Sequence, residues 1–200
     1  IYFACDLSPN SLKLAKRGFE LSNLDGEFTN ADAEHLPYAS NSFDLVYSHG
    51  VLHHTPSLEV ALTEVYRVLK PGGKAIIMLY AKESLTYLGI QIYGRLRLLY
   101  LKYKLGQSDF NILLGLPTNN KKLTLDTIIS NSTDGVGNPL ANIYSKTELI
   151  EVFHEFSKVE FEKHYLPSAK LSTLRNIIPR RLKYWLGRKI GGFWYIKVLK

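Results

Sequence analysis

Three histidines fall within six residues, at His49, His53 and His54. They sit on a polar crest, Ser48-His49-Gly50-Val51-Leu52-His53-His54, directly after the apolar run Phe43–Ser48. Imidazoles so placed can serve as general bases, ligate a metal, or line a pocket and bond to local backbone. His49 and His53 are four residues apart, but no Asp, Glu or Cys stands beside them to complete a donor set, so we assign no metal. Two carboxylates end β-type runs, Asp6 after Ile1–Cys5 and Asp32 after Glu27–Ala31. A carboxylate at a strand tip can accept both hydroxyls of a sugar. Asp6 could instead cap the helix that begins near Ser8-Pro9, and Asp32 could simply open a turn.

These groups depend on the elements around them. Ser42–Tyr80 reads as strand, helix, strand. Thr55-Pro56 supplies an N-cap and a first-position proline, and Leu58, Ala61, Leu62, Val65, Val68 and Leu69 recur at three- and four-residue spacing. Lys70-Pro71-Gly72-Gly73 then stops the helix before the uncharged strand Ala75–Tyr80. A crossover helix between two apolar strands implies a parallel sheet, and such sheets bind ligands at their carboxyl ends, here Tyr47–His54 and Leu79–Lys82. Upstream we expect a strand over Ile1–Cys5, a helix from Ser8-Pro9 to about Ser22, a strand over Glu27–Ala31 and a loop over Asp32–Ser42. Downstream, Leu85–Leu105 has helical spacing interrupted by Gly89 and Gly94, Gly106–Lys122 reads as irregular, Leu123–Ser130 as a short helix and Asn131–Asn142 as a turn-rich loop. Ser145 with Glu148 is a capping-box signature for a helix through Phe156. Lys158–Tyr165 alternates as a strand, Ser168–Lys189 is helical with a break at Pro179, and Phe193–Leu199 closes the chain as a strand.

Three segments, FACDLSPNSLKLAK (Phe3–Lys16), NADAEHLPY (Asn30–Tyr38) and FDLVYSHGVLHHTP with VYRVLKPGGKAII, resemble the class I S-adenosylmethionine-dependent methyltransferases in order and spacing over about the first 80 residues. The flavour is that of the small-molecule and lipid-quinone branch. The resemblance implies an α/β Rossmann-like methyltransferase sheet, mostly parallel with a terminal antiparallel hairpin. It also implies S-adenosylmethionine as cofactor. Asp6 would hold the ribose, Leu7 would pack on the adenine, and Asp32 with the Ala33 N–H would meet the adenine edge. Ser48 and His49, with the crest to His54, would line the methionine end and the floor of the acceptor pocket. Methyl transfer is an in-line displacement at a sulfonium carbon, in which positioning supplies much of the rate. A base is needed only for an acceptor that arrives protonated, and His49, His53 and His54 are the candidates. The acceptor is expected to be a small molecule, with a lipid-like one among the candidates, and the sequence does not distinguish oxygen, carbon or nitrogen as the atom methylated. Residues 1–82 would form the cofactor-binding half of one domain, 83–145 an acceptor cover, and 146–200 the terminal helices and hairpin.

The family's glycine-rich cofactor loop has no counterpart here. The sole Gly-x-Gly, Gly135-Val136-Gly137, runs into Asn-Pro far from any strand-to-helix start. We therefore expect the 200 residues to be the C-terminal part of a longer protein, incomplete at the N-terminus, cut within the second strand of its sheet and inactive alone. The lone Cys5 suits a small core position in a reducing, cytoplasmic setting rather than a disulfide. No uncharged run reaches the ~18 residues a spanning helix needs, so no transmembrane segment is expected.

Charge is unevenly spread. Residues 1–80 hold 6 basic and 9 acidic groups, residues 81–200 hold 19 and 9, and from Lys163 onward there are ten Lys or Arg and no acid. The asymmetry suits peripheral contact with an anionic membrane, or merely a solvated basic face. Tyr87, Tyr93, Tyr100 and Tyr103 with the leucines of Leu85–Leu105 form either core packing or a lid on a hydrophobic acceptor or bilayer. A nucleic-acid methyltransferase or binding module is the rival that the basic charge favours, but there is no Asn/Asp-Pro-Pro-aromatic motif for a flipped base. A nicotinamide oxidoreductase would share the acid after the strand without calling for DAEHLP or LHHTP.

Overall fold

The structure, a computed structural model, describes residues 1–117, 124–133, 140–165 and 179–200. It begins with a strand–helix–strand unit: β1 (Tyr2–Asp6), α1 (Pro9–Leu21) and β2 (Gly26–Asn30), the two strands parallel with Asp6 opposite Asn30. Ser8 caps α1, its hydroxyl accepting the Ser11 amide, and Pro9 occupies the first turn. A second unit follows with β3 (Phe43–His49), a single 3-10 turn (Leu52–His54), α2 (Leu58–Val68) and β4 (Leu69–Ala81). Here too the strands are parallel, with Val46 opposite Ala75 and His49 opposite Met78.

The chain then leaves the sheet for a helical stretch: α3 (Leu85–Gly89), a π-helical turn (Ile90–Gly94), α4 (Arg95–Leu105), α5 (Gln107–Leu113) and α6 (Leu125–Thr133). It returns through β5 (Ile143–Tyr144), parallel to the end of β4, then α7 (Lys146–Val152), β6 (Lys158–His164), α8 (Arg180–Ile190) and β7 (Phe193–Leu199). β7 runs antiparallel to both β4 and β6, giving the order β3-β4-β7-β6 with β5 on β4. The parallel units and terminal antiparallel hairpin are those expected. The ladder itself is split, because β1 and β2 form their own two-stranded sheet and neither pairs with β3. The first strands of the two units are linked by ring contacts, Phe3 to Phe43 at 5.5 Å and Phe3 to Tyr38 at 6.0 Å.

The main core forms where α2 lays Leu58, Ala61, Leu62 and Val65 on Ala75, Ile77 and Leu79 of β4, with Trp194, Ile196 and Val198 of β7 beside them. Each fully buried Leu, Ile or Val side chain among them contributes about 1.5–3 kcal/mol. Leu149 and Phe153 close the same layer from α7. A smaller second cluster joins Leu98, Phe110, Leu114 and Ile128 from α4, α5 and α6. Lys200 anchors the chain end, its Nζ donating to Tyr66 O at 2.7 Å and Leu69 O at 2.8 Å while lying over the Tyr66 ring.

Several local expectations are corrected. α2 is capped by Ser57, not Thr55, because the Thr55 hydroxyl turns back to donate to Leu52 O and closes the 3-10 turn. Residues 107–113 are helical, not irregular, since Phe110 and Leu114 are drawn into the second cluster. The Ser145–Glu148 capping box is present, but its helix ends at Val152 and the chain turns through Phe156. Cys5 is half-buried, and burial pushes its thiol up, helped by the neighbouring Asp6 charge. The irregular and looped stretches expected at 118–122 and 134–139, and the helix expected over 168–178, lie outside the described residues.

Candidate functional site

Asp6 ends β1 with its side chain turned along the chain. The Ser8 amide donates to Asp6 Oδ1 at 2.7 Å, so Asp6 orients the residue that caps α1 and is not itself the cap. Oδ2 has no hydrogen-bond partner among the described residues, and Leu7 beside it is 71% exposed. Asn30, at the tip of the paired strand, donates through Nδ2 to both Asp6 O and Leu7 O at 2.9 Å, which locks the turn after β1. A fixed strand-tip carboxylate with one open oxygen beside an exposed apolar side chain fits a ribose and a base.

Asp32 opens a turn, as the plainer sequence reading allowed: the Glu34 amide donates to Asp32 Oδ1 at 3.0 Å and the His35 amide to Asp32 O at 3.0 Å. The Ala33 N–H makes no hydrogen bond among the described residues. Asp32 and Ala33 are positioned by a clamp that the sequence reading missed. Glu34 Oε1 accepts the Ser57 amide at 2.6 Å, and Glu64 Oε2 accepts the Leu36 amide at 2.8 Å. Arg67 holds Glu64 in a two-pronged pair at 2.6 and 2.7 Å while donating to Tyr38 O at 2.7 Å and Leu36 O at 3.0 Å. The guanidinium holds the Glu64 carboxyl below the usual carboxylate range. The loop carrying Asp32 is thus tied to the N-cap of α2, just after the histidine crest, and to the last turns of the same helix. The signal available in sequence was Glu64 and Arg67 on the polar face of α2, one turn apart.

The crest separates its three histidines. His49 is exposed at the end of β3, its Nε2 hydrogen-bonded to the Tyr195 hydroxyl at 2.7 Å and its ring stacked with Tyr47. Burial, with the neighbouring Tyr165 and Tyr47 phenols, pushes Tyr195 up to about 12, so this phenol keeps its proton at neutral pH. His53 points inward: it is 0% exposed, with its ring 3.9 Å from that of Tyr80 and 4.3 Å from that of His54. His54 is half-buried and its Nδ1 is hydrogen-bonded to Leu140 O at 2.6 Å. Ser48 Oγ is buried without a hydrogen-bond partner, and Gly50, at φ +78°, makes the bend between strand and crest.

A cleft of about 140 Å³ lies at the carboxyl end of β4. Tyr80, Tyr87, Ile90, Ile143 and Phe193 give it apolar walls, and Ser84 and Thr86 add hydroxyls. Tyr80 is shared: one ring contact reaches His53 and another reaches Phe193 at 5.6 Å, so crest and cleft adjoin. Of the strand end Leu79–Lys82 expected to face a ligand, Tyr80 and Ala81 line the cleft, and Tyr87, left open between core and lid, lines it as well. The contributions of Phe193 and of the 140–144 segment, whose Asn142 amide donates to His53 O, come only from tertiary contact.

Residues 1–77 match a family model described as a methyltransferase domain. The chain is 40% identical over 82 residues to a ubiquinone/menaquinone biosynthesis C-methyltransferase of Rhizobium meliloti, covering 41% of this chain and 31% of that one. It is 42% identical over 72 residues to the phthiotriol/phenolphthiotriol dimycocerosates methyltransferase of Mycobacterium leprae, covering 36% of this chain and 26% of that one. The chain therefore spans about a third of the length of the curated relatives it matches. Among solved structures, a possible histamine N-methyltransferase from Thermotoga maritima superposes with a TM-score of 0.58 at 18% identity, over 100% of this chain and 73% of that one. The [4+2]-cyclase SpnF superposes at 0.54 and 15% identity, over 99% of this chain and 65% of that one, so the shared fold by itself does not fix the reaction.

Proposed function

We propose that this chain belongs to the class I S-adenosylmethionine-dependent methyltransferases and that the whole protein methylates a small, lipid-like acceptor seated in the Tyr80–Phe193 cleft. The observation that carries this is the adjacency of two different environments. The polar turns at Asp6 and Asp32 and the exposed end of the crest suit a nucleoside, while a ring-walled cleft that adjoins the crest through Tyr80 suits an apolar acceptor. When bound, S-adenosylmethionine supplies an activated methyl group on a sulfonium.

The chain's own residues then bind, orient and exclude water. Asp6 Oδ2 accepts ribose hydroxyls, Leu7 covers one face of the base, and Asp32 with the Ala33 N–H addresses its edge. Ser48 and His49 stand at the reacting end. Tyr80 and Phe193 hold an apolar acceptor against the crest, which keeps the reacting atoms aligned. His49, exposed and braced by a protonated Tyr195, is the imidazole positioned to take a proton from an acceptor that arrives protonated. His53 packs against the Tyr80 ring and His54 tethers the 140–144 segment. The two named relatives, described as a ubiquinone/menaquinone biosynthesis C-methyltransferase and a phthiotriol/phenolphthiotriol dimycocerosates methyltransferase, support a lipid-like acceptor for this cleft.

The test is methyl transfer by the full-length protein from labelled S-adenosylmethionine to quinone-type and lipid acceptors, with S-adenosylhomocysteine binding measured by calorimetry. Binding of the product nucleoside together with labelling of an apolar acceptor is the expected result. Failure to bind S-adenosylhomocysteine would remove the cofactor assignment, and labelling confined to polar acceptors would remove the cleft.

A further inference from the structure

The helical run Leu85–Leu105 turns only part of its apolar surface inward. In α4, Leu98 and Leu101 point into the small cluster with Phe110, Leu114 and Ile128. At 100° per residue, Leu96, Leu99, Tyr100 and Tyr103 fall within an arc of roughly 100° on the opposite side. All four are exposed, at 61, 45, 58 and 87%. The alternative that these aromatics complete a core is thereby excluded for Tyr100 and Tyr103. The cations are ordered about the same axis. Arg95 and Lys102 border one side of the stripe and Arg97 and Lys104 the other, with Lys104 Nζ 6.0 Å from the centre of the Tyr100 ring. No acidic residue occurs between Glu83 and Asp109.

We propose that the outer face of α4 is an in-plane docking surface for an anionic lipid bilayer. An apolar stripe bordered on both sides by cations suits the boundary between acyl chains and anionic headgroups, where the rings and leucines enter and the charges stay at headgroup level. Two other occupants fit less well. A second copy laid face to face would set cation rows against cation rows with no acid to offset them. A nucleic acid would neutralise the charges but leave Leu96 and Leu99 without apolar partners. No described helix is long and apolar enough to cross a membrane, so the contact is peripheral. The placement has a functional consequence. The run that continues into α4 lines the cleft with Thr86, Tyr87 and Ile90, so a docked α4 holds the cleft near the lipid phase. The inference rests on the surface of α4 alone and does not depend on the acceptor reading above.

Co-sedimentation of the full-length protein with phosphatidylcholine vesicles, with and without phosphatidylserine, at low and high salt, tests it. Salt-sensitive preference for the phosphatidylserine vesicles is expected, and Leu99→Ser/Tyr103→Ser should weaken it about tenfold, as should Arg97→Gln/Lys104→Gln. All four side chains are exposed, so both variants should retain the parent circular dichroism. Binding that ignores lipid charge, or that survives both double substitutions, overturns the proposal. So does a solution dimer dissolved by Leu99→Ser/Tyr103→Ser, or duplex DNA binding lost in Arg97→Gln/Lys104→Gln while vesicle binding persists.

Discussion

Arg67 is the best place to perturb the proposed nucleoside side of the site without touching it. Its guanidinium makes four hydrogen bonds of 2.6–3.0 Å, two to Glu64 and one each to Tyr38 O and Leu36 O. Arg67→Met keeps the aliphatic stem and removes all four. A hydrogen bond to a charged group is worth about 1.5–3 kcal/mol when well shielded. The side chains of Arg67 and Glu64 are 32 and 18% exposed, so screening brings the pair down to about 1 kcal/mol. With the two carbonyl bonds at about 0.5–1 kcal/mol each, the expected loss on Arg67→Met is roughly 2–3 kcal/mol. Urea unfolding of the parent, Arg67→Met, Glu64→Gln and the double variant measures this, and the cycle should show a coupling of about 1 kcal/mol. The pH dependence has a definite sign. Glu64 is held below the usual carboxylate range, so its contribution is complete above the ordinary carboxyl pKa and is lost as pH falls through the folded value. The gap between parent and Arg67→Met should therefore narrow in acid. Because the clamp carries Asp32 and Ala33, S-adenosylhomocysteine affinity of the full-length protein should also fall several-fold. A coupling within about 0.3 kcal/mol of zero would refute the clamp.

On the proposed ribose role, replacement of Asp6 by Ala removes charge-assisted hydrogen bonds worth about 1.5 kcal/mol or more, so the calorimetric Kd for S-adenosylhomocysteine should rise at least tenfold while circular dichroism stays unchanged. An unaltered Kd would restrict Asp6 to orienting Ser8. The Glu148 carboxyl is pulled down to about 2, first by the Ser145 amide and hydroxyl and then by Lys82. Stability from this cap should be intact above pH 4.5 and should drain away as pH falls towards 2. Glu148 is 48% exposed, so the amount is about 1 kcal/mol after screening. Thermal melts of Glu148→Gln should accordingly show a flatter acid limb than the parent, and equal slopes would contradict the cap. His53→Ala deletes a fully buried ring and should cost about 3 kcal/mol in urea unfolding. A loss under ~1 kcal/mol would mean that His53 does not pack as described.

Local chemistry was legible along the chain because short-range rules decided it. Ser8-Pro9 set the start of α1, Ser145 and Glu148 formed their capping box, and the three- and four-residue spacing of Leu58 through Val68 chose the buried face of α2. The strand tip Asp6 was likewise readable, since an acid after an apolar β-type run marks a strand's carboxyl end, whereas Asp32, expected to end a strand over Glu27–Ala31, lies two residues beyond β2 and opens a turn. Tertiary structure decided the rest, where one residue type has two outcomes that differ only in what lies across from it. His49, His53 and His54 are alike in sequence, but one is exposed against Tyr195, one is buried under Tyr80 and one is tied to Leu140 O, because these partners lie 27 to 146 positions away. The helix over residues 107–113 was unreadable for the same reason: Phe110 and Leu114 become a helical face only once Leu98 and Ile128 are there to bury them. Among the aromatics of the basic C-terminal segment, Trp194 enters the core of β7 while Trp185 stays exposed on α8. Spacing places a ring on an element's face, but only the packing of that element determines whether the face meets protein or solvent.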